Sequence, residues 1–126
     1  MPKNVKKNQM SKDPREVTPK ESQERIIEEL QKIYDPEIPV DVYNLGLIYD
    51  IKCEKDKTSK LNRCKVVMTL TSATCSMSEM IVDLVRTIPN RIEDNSIESL
   101  DVELVFDPPW DPSKMSDEAK LQMGML

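Results

Sequence analysis

One cysteine of this sequence stands where a reactive thiolate could form. Cys75 follows the small residues 71–74 and lies one position before Ser76, which together with Glu79 makes the S-x-x-E pattern of a helix start. Backbone N–H groups and the positive end of the helix dipole favour a thiolate at such a place. The pattern predicts a partly exposed functional cysteine. The structural alternative is a small residue that fills a tight turn.

The other two cysteines, Cys53 and Cys64, fall on the apolar positions of two alternating segments. Buried cysteine behaves as a small hydrophobe, so we expect both to be buried, reduced neighbours. The three cysteines lie 11 residues apart, a spacing that matches neither zinc nor ferredoxin ligands. Because the count is odd and the basic N-terminus carries no apolar signal region, we expect a reducing, cytoplasmic location.

Two further segments carry side chains that could bind a ligand or a partner. Asp35 and Glu37 belong to an acidic, proline-bounded loop whose carboxylates could hold a hard cation, act as acid and base, or face solvent. Trp110 follows Pro108 and Pro109, which restrict the backbone. This single tryptophan could plug the core or anchor a partner protein.

The composition excludes several classes of protein. The chain has no histidine, so it cannot form a Ser-His-Asp triad or a histidine zinc site. Its two glycines, Gly46 and Gly124, lie too far apart for a phosphate-binding glycine loop. A net charge of -5 and few aromatic residues argue against nucleic acid, and no apolar run approaches the roughly 18 residues that span a membrane. The sequence patterns alone therefore predict a small globular domain without a recognisable catalytic constellation.

The chain divides into a tail and one domain. Residues 1–17 carry a net charge of +3 and few apolar side chains, which is typical of a disordered tail. Residues 18–126 hold the predicted elements. Thr18 and Glu21 form a capping box for a first helix, which we expect to end at about residue 34 before Asp35-Pro36.

Alternating apolar residues predict three strands, at about 45–53, 63–70 and 100–106. A symmetric hairpin about the charged turn 54–61 would pair Cys53 with Cys64, Ile51 with Val66 and Tyr49 with Met68. A second helix follows from Ser76, kinked or divided near Pro89, and a short C-terminal helix spans 116–123. The order α-β-β-α-β predicts an α+β two-layer fold with a small mixed sheet, in which strand three runs parallel to strand two.

Three segments of the sequence occur in a characteristic order: DPEIPV at 35–40 with LGLIY at 45–49, MTLT at 68–71 with Cys75, and VELVFDPPW at 102–110. Together they resemble the SufT/PaaD-like family of iron–sulfur cluster assembly-like domains. The resemblance covers about residues 22–126 and is closer to the SufT branch. Asn44 stands where the family usually has an acidic residue, and Ser76 stands where it usually has proline.

The resemblance implies a non-enzymatic maturation factor, associated with the SUF machinery, whose partners are that machinery and apo iron–sulfur proteins. It implies that Cys75 transiently binds iron or a cluster, or helps to dock clients, with Thr71 and the loop of Asp35 and Glu37 nearby. A cluster needs about four ligands, so ligation shared across a homodimer or with a partner is easier than ligation by one chain. The alternative is a PaaD-like accessory subunit of an aromatic-ring oxygenase of the phenylacetyl-CoA type.

Overall fold

A computed structural model describes residues 13–36, 38–71 and 78–125 of the chain. These residues form three α-helices and three strands, with short 3-10 turns between them, and none of the helices is long and apolar enough to cross a membrane. The predicted order is confirmed. The elements are α1 (Pro19–Leu30), β1 (Ile48–Lys55), β2 (Asn62–Met68), α2 (Ser78–Arg86), β3 (Ile97–Leu104) and α3 (Asp117–Gln122).

The sheet has the strand order β1-β2-β3, with β2 antiparallel to β1 and parallel to β3. Helix α1 packs against β1 and β2, and α2 packs against β3. The core lies between these layers, where Val66 and Met68 of the central strand are fully buried. Lys65 points to the other face, where its ammonium meets the Glu103 carboxylate at 2.7 Å. One apolar and one charged face make the predicted two-layer α+β fold with a mixed sheet.

The hairpin register agrees with the prediction at two of its three pairs. Cys53 lies opposite Cys64, and Ile51 lies opposite Val66. The third pair is wrong, because the register shifts between Ile48 and Asp50 and places Ile48 opposite Met68. This irregularity leaves Tyr49 outside the ladder and turns its side chain to another partner, described below.

The first helix starts as predicted and ends earlier than predicted. The Thr18 hydroxyl accepts from the Glu21 amide at 3.1 Å, and the Glu21 carboxylate accepts from the Thr18 amide at 2.9 Å. The helix ends at Leu30 instead of residue 34. Ile33 and Tyr34 instead pair with the following loop. The Val42 amide donates to the Ile33 carbonyl at 2.8 Å, and Tyr34 forms an antiparallel bridge with Asp41.

The second helix is divided at its proline, as expected. Helix α2 ends at Arg86, and a 3-10 turn at Ile88–Arg91 contains Pro89. Proline has no amide hydrogen to continue the α-helical ladder, so the chain tightens there. The predicted cap at Ser76 lies outside the described residues.

Residues 13–17 pack on the domain instead of extending from it as the last part of the predicted tail. Val17 is fully buried, and its carbonyl accepts from the Asn62 side-chain amide at 2.9 Å and from the Lys55 ammonium at 3.1 Å. Two donors from the closed end of the hairpin therefore hold this segment. The tail prediction remains for residues 1–12, which lie outside the described residues.

The two hairpin cysteines are joined in a disulfide. Cys64 is buried and Cys53 is half-buried, so their placement as neighbours on adjacent strands is as expected. The expectation that both are reduced is wrong in this structure. Because the two residues lie directly opposite, with Cα atoms 4.1 Å apart, the ladder itself brings the two sulfurs together.

Candidate functional site

The structure describes three of the five predicted site residues, Thr71, Asp35 and Trp110. Cys75 and Glu37 lie outside the described residues, so their roles stay predictions. The part of this region that the structure describes is the end of β2, which precedes residues 72–77 in the chain, together with the segments that bind this end.

The carboxyl end of β2 is held from both sides by loops. The Thr69 amide donates to the Leu47 carbonyl at 2.9 Å, and the Met68 carbonyl accepts from the Val105 amide at 2.8 Å. Thr69 is almost fully buried, whereas Thr71 is only half-buried. The described chain is therefore more exposed at Thr71 than at Thr69, and two distant segments bind the backbone at Met68 and Thr69.

Asp35 is buried and helps to shape the loop that the sequence singled out. Its carboxylate accepts from the Ile38 amide at 3.0 Å, and its own amide donates to the Val40 carbonyl at 3.2 Å. These bonds favour a structural use of the carboxylate over the solvated one. Among the described residues, no group of three or more His, Cys, Asp or Glu could hold a metal ion.

A second buried carboxylate, Asp41, organises the other half of the loop. Its two oxygens accept from the backbone and side-chain amides of Asn44, both at 2.9 Å. An acidic side chain at position 44 would place two negative charges together here, whereas Asn44 supplies a donor. The Asn44 carbonyl also accepts from the Ser116 amide at 2.8 Å. The Asp-x-x-Asn spacing was the available sequence signal, since Asp side chains often bond nearby loop amides.

Trp110 joins the chain after β3 to the same loop. Its indole N–H donates to the Leu45 carbonyl at 2.7 Å, and the ring is half-buried against the core. The core-plug alternative thus describes its packing, and the role as a partner anchor stays a prediction. Next to it, Gly46 has a φ of +88°, and its Cα lies against the backbone of Lys114. Sequence reasoning missed this contact, for which a glycine within an apolar segment was the only sign.

Tyr49, released from the ladder, bridges the start of β1 to the proline segment. Its hydroxyl donates to the Pro108 carbonyl at 2.7 Å, and the Lys114 ammonium lies 5.4 Å from its ring centroid. Burial raises the pKa of this phenol, with a further rise from the carboxylates of Asp111 and Asp107. The hydroxyl therefore stays protonated and acts as a donor. Sequence reasoning missed this contact because no local pattern predicts it.

Exposed apolar side chains lie at the end of the sheet where β2 and β3 both finish. Strand β3 runs parallel to β2, so Leu104 and the following Phe106 lie at the same end of the sheet as Thr71, the end where both strands finish. Leu104 is 38% exposed and Phe106 is 49% exposed. A contiguous exposed apolar patch is typical of a surface that binds other proteins, whereas single exposed apolar side chains are ordinary.

The disulfide also bears on Cys75. The chain has three cysteines, and the bond between Cys53 and Cys64 accounts for two of them. A single thiolate can be one ligand of a metal or cluster and no more than one.

Fold and site together define a small α+β two-layer domain with a cysteine-bearing connection at the carboxyl end of its central strand. A sequence model of the family described as iron-sulfur cluster assembly protein matches residues 23–103. The chain belongs to this family.

The relatives agree with this assignment. An Fe-S protein maturation auxiliary factor of Porphyromonas gingivalis is 36% identical over 106 residues, which cover 84% of this chain and 94% of the relative. The Fe-S protein maturation auxiliary factor SufT of Staphylococcus aureus is 37% identical over 74% of this chain and 98% of its own length. The crystal structure of a domain of unknown function from Bacillus anthracis is similar with a TM-score of 0.71 and 30% identity, over 86% of this chain and 96% of that one.

Proposed function

We propose that this protein is a maturation factor for iron–sulfur proteins and that Cys75 is its working thiol. Relatives at 36% and 37% identity, matched along nearly their whole length, bear the name of such factors. The observation that supports the residue assignment is the pairing of Cys53 with Cys64 inside the hairpin, which makes Cys75 the one cysteine of the sequence outside that pair. We propose the cytoplasm as the location, where iron–sulfur assembly partners would be available.

The proposed role is transfer or docking, without catalysis. Iron or a cluster would be the cargo, and Cys75 would supply one of its roughly four ligands. The other ligands would come from an apo-protein, from the assembly machinery or from a second copy of the chain. Thr71 and the loop formed by Asp35 would position the connection that carries Cys75. Shared ligation favours release, because the cargo leaves when either protein dissociates.

Docking would use the apolar residues at the same edge of the sheet. Leu104 and Phe106 are exposed at the carboxyl end of β3, which is the same end of the sheet as Thr71, so a client bound there would lie close to the residue from which the chain continues to Cys75. Trp110 stands on the segment that follows, with its indole N–H used by Leu45. Its ring face would be available to a partner, and its packing would keep the segment in place.

Complementation of a maturation-deficient strain tests the thiol. We expect Cys75→Ser to fold with an unchanged melting temperature and to lose the activity of iron–sulfur client enzymes. The activity of a client enzyme, measured beside a melting curve for each variant, separates loss of the thiol from loss of the fold. Full complementation by Cys75→Ser would contradict the thiol role and would favour a purely adaptor function.

Two leucines of equal exposure test the docking surface. Leu104 at the site edge is 38% exposed, and Leu84 on α2 is 39% exposed beside a cleft lined by Tyr34 and Arg91. We expect Leu104→Ala to weaken the capture of apo-client by purified protein and Leu84→Ala to leave it unchanged. Equal binding by the two variants would place the client surface elsewhere.

A further inference from the structure

The disulfide of the β1–β2 hairpin joins two residues that the strand pairing already places opposite each other. Cys53 and Cys64 lie directly opposite each other, and the flanking pairs Ile51–Val66 and Lys55–Asn62 hold the same register on both sides. The backbone ladder and the buried face of β2 set this register independently of the sulfur atoms. Two thiols released here would therefore remain neighbours, ready to bond again.

The two cysteine residues differ in exposure, and this difference favours one order of events. Cys64 is 4% exposed, whereas Cys53 is half-buried on the edge strand. A reducing thiolate can therefore approach Cys53 more easily than Cys64. Attack on Cys53 would release Cys64 as the leaving thiolate.

We propose that Cys53–Cys64 is a reversible redox site whose state sets how firmly the hairpin holds residues 13–18. The reductant is a dithiol. One of its thiolates bonds to the Cys53 sulfur, the Cys53–Cys64 bond breaks, and Cys64 leaves as a thiolate that takes up a proton. The second thiol of the reductant then displaces Cys53, so two electrons pass to the protein and the reductant becomes a disulfide. A small-molecule disulfide such as glutathione disulfide drives the reverse reaction.

The consequence follows from what the closed end of the hairpin binds. Lys55, two residues beyond Cys53, donates from its ammonium to the carbonyls of Arg15 and Val17 at 2.5 and 3.1 Å. Asn62, two residues before Cys64, donates to the carbonyls of Val17 and Thr18 at 2.9 and 3.2 Å.

Strand β1 is an edge strand that pairs only with β2 among the described strands. The Cys53–Cys64 bond therefore links β1 to β2 close to Lys55 and Asn62, which bind residues 15–18 just before α1. Reduction of the disulfide lets the closed end of the hairpin fray, and the hydrogen bonds from Lys55 and Asn62 to residues 15–18 weaken as a result. A reversible role also agrees with a reducing compartment, where protein disulfides are usually transient or redox-sensing.

Hydrogen exchange on the full-length protein tests the inference. The protein is equilibrated with glutathione disulfide or with dithiothreitol under native conditions, and exchange is followed by mass spectrometry. On reduction we expect amides in 14–18 and 54–63 to exchange at least about tenfold faster, with α2 and β3 unchanged. The Cys53→Ala variant should show the faster exchange in both buffers.

A thiol count makes the chemical step independent of the exchange result. Cys75→Ser removes the third cysteine and should keep the full redox response. After acid quenching, unfolding and alkylation, this variant should carry no adduct when oxidised and two adducts when reduced. Two adducts after glutathione disulfide, none after dithiothreitol, or equal exchange of 14–18 in the two states would each overturn the proposal.

Discussion

Gly46 makes the tightest backbone approach near the candidate site, and Gly46→Ala should unfold the protein at a much lower urea concentration. A Cβ at this position would lie 2.2 Å from the carbonyl oxygen of Lys114 and 2.7 Å from its carbonyl carbon. Both are backbone atoms, so no side-chain rotation relieves the contact. The segment that carries Lys114 would have to move away, and the bond from the Ser116 amide to the Asn44 carbonyl would be lost with it.

Two costs add in this variant. A non-glycine residue at φ +88° costs roughly 1–2 kcal/mol. Overpacking against a fixed neighbour adds about 1–3 kcal/mol, which gives a total loss of about 2–5 kcal/mol in the free energy of unfolding. A small domain has only about 5–15 kcal/mol of stability, so this loss would be a large part of it.

Gly124→Ala is the matched control. Gly124 has a φ of +77°, and a Cβ there would meet nothing within 4 Å. The two variants share the left-handed backbone cost and the same reduction of unfolded-state entropy, so their difference isolates the contact with Lys114. We expect Gly46→Ala to be less stable than Gly124→Ala by at least about 1 kcal/mol.

Urea unfolding followed by tryptophan fluorescence measures both variants. Trp110 is the single tryptophan, and its indole binds Leu45 beside Gly46, so its emission reports the site as well as global unfolding. Far-ultraviolet circular dichroism on the same samples gives the global transition alone. Stabilities of the two variants within about 0.5 kcal/mol of each other would refute the close approach of residues 46 and 114.

Three further predictions concern the N-terminal segment and the tryptophan. Val17→Ala should lower the free energy of unfolding by about 2 kcal/mol in a thermal melt, because the side chain is fully buried. Deletion of residues 1–12 should leave the melting temperature nearly unchanged. An unchanged melting temperature in Val17→Ala would show that residues 13–17 do not pack on the domain. The Arg15 side chain, helped by the Arg15 backbone amide, holds the pKa of Asp13 at about 2, below its usual 3.8, so the contact persists above pH 3.8 and is lost as the pH falls through about 2. Carbon NMR should find this pKa raised in Arg15→Ala but still below 3.8, because the backbone amide of residue 15 continues to donate to Asp13, and an unchanged value would contradict the side-chain pair. Trp110→Phe should cost about 1 kcal/mol in urea unfolding, because it leaves the Leu45 carbonyl without its donor; equal stability would mean that water replaces the indole.

Sequence periodicity and capping determined the elements and much of their pairing. The Thr18–Glu21 capping box, the division at Pro89 and the Cys53–Cys64 register were all predicted correctly. These features depend on residues close in sequence or on a hairpin whose strands are adjacent in the chain. The three segments that resemble the family could also be recognised from the sequence, because their order and residue types are visible without the fold.

The tertiary structure decided how those segments meet. The end of α1 at Leu30, the irregularity at Tyr49 and the contact between Gly46 and Lys114 each depend on backbone groups that find partners far along the chain. The same is true of Val17, which the sequence placed in a charged tail. In the structure its carbonyl accepts hydrogen bonds from Lys55 and Asn62 of the hairpin. Local propensity carries no information about such partners, because a hydrogen bond or a burial between distant segments exists only after the chain has closed the loop between them.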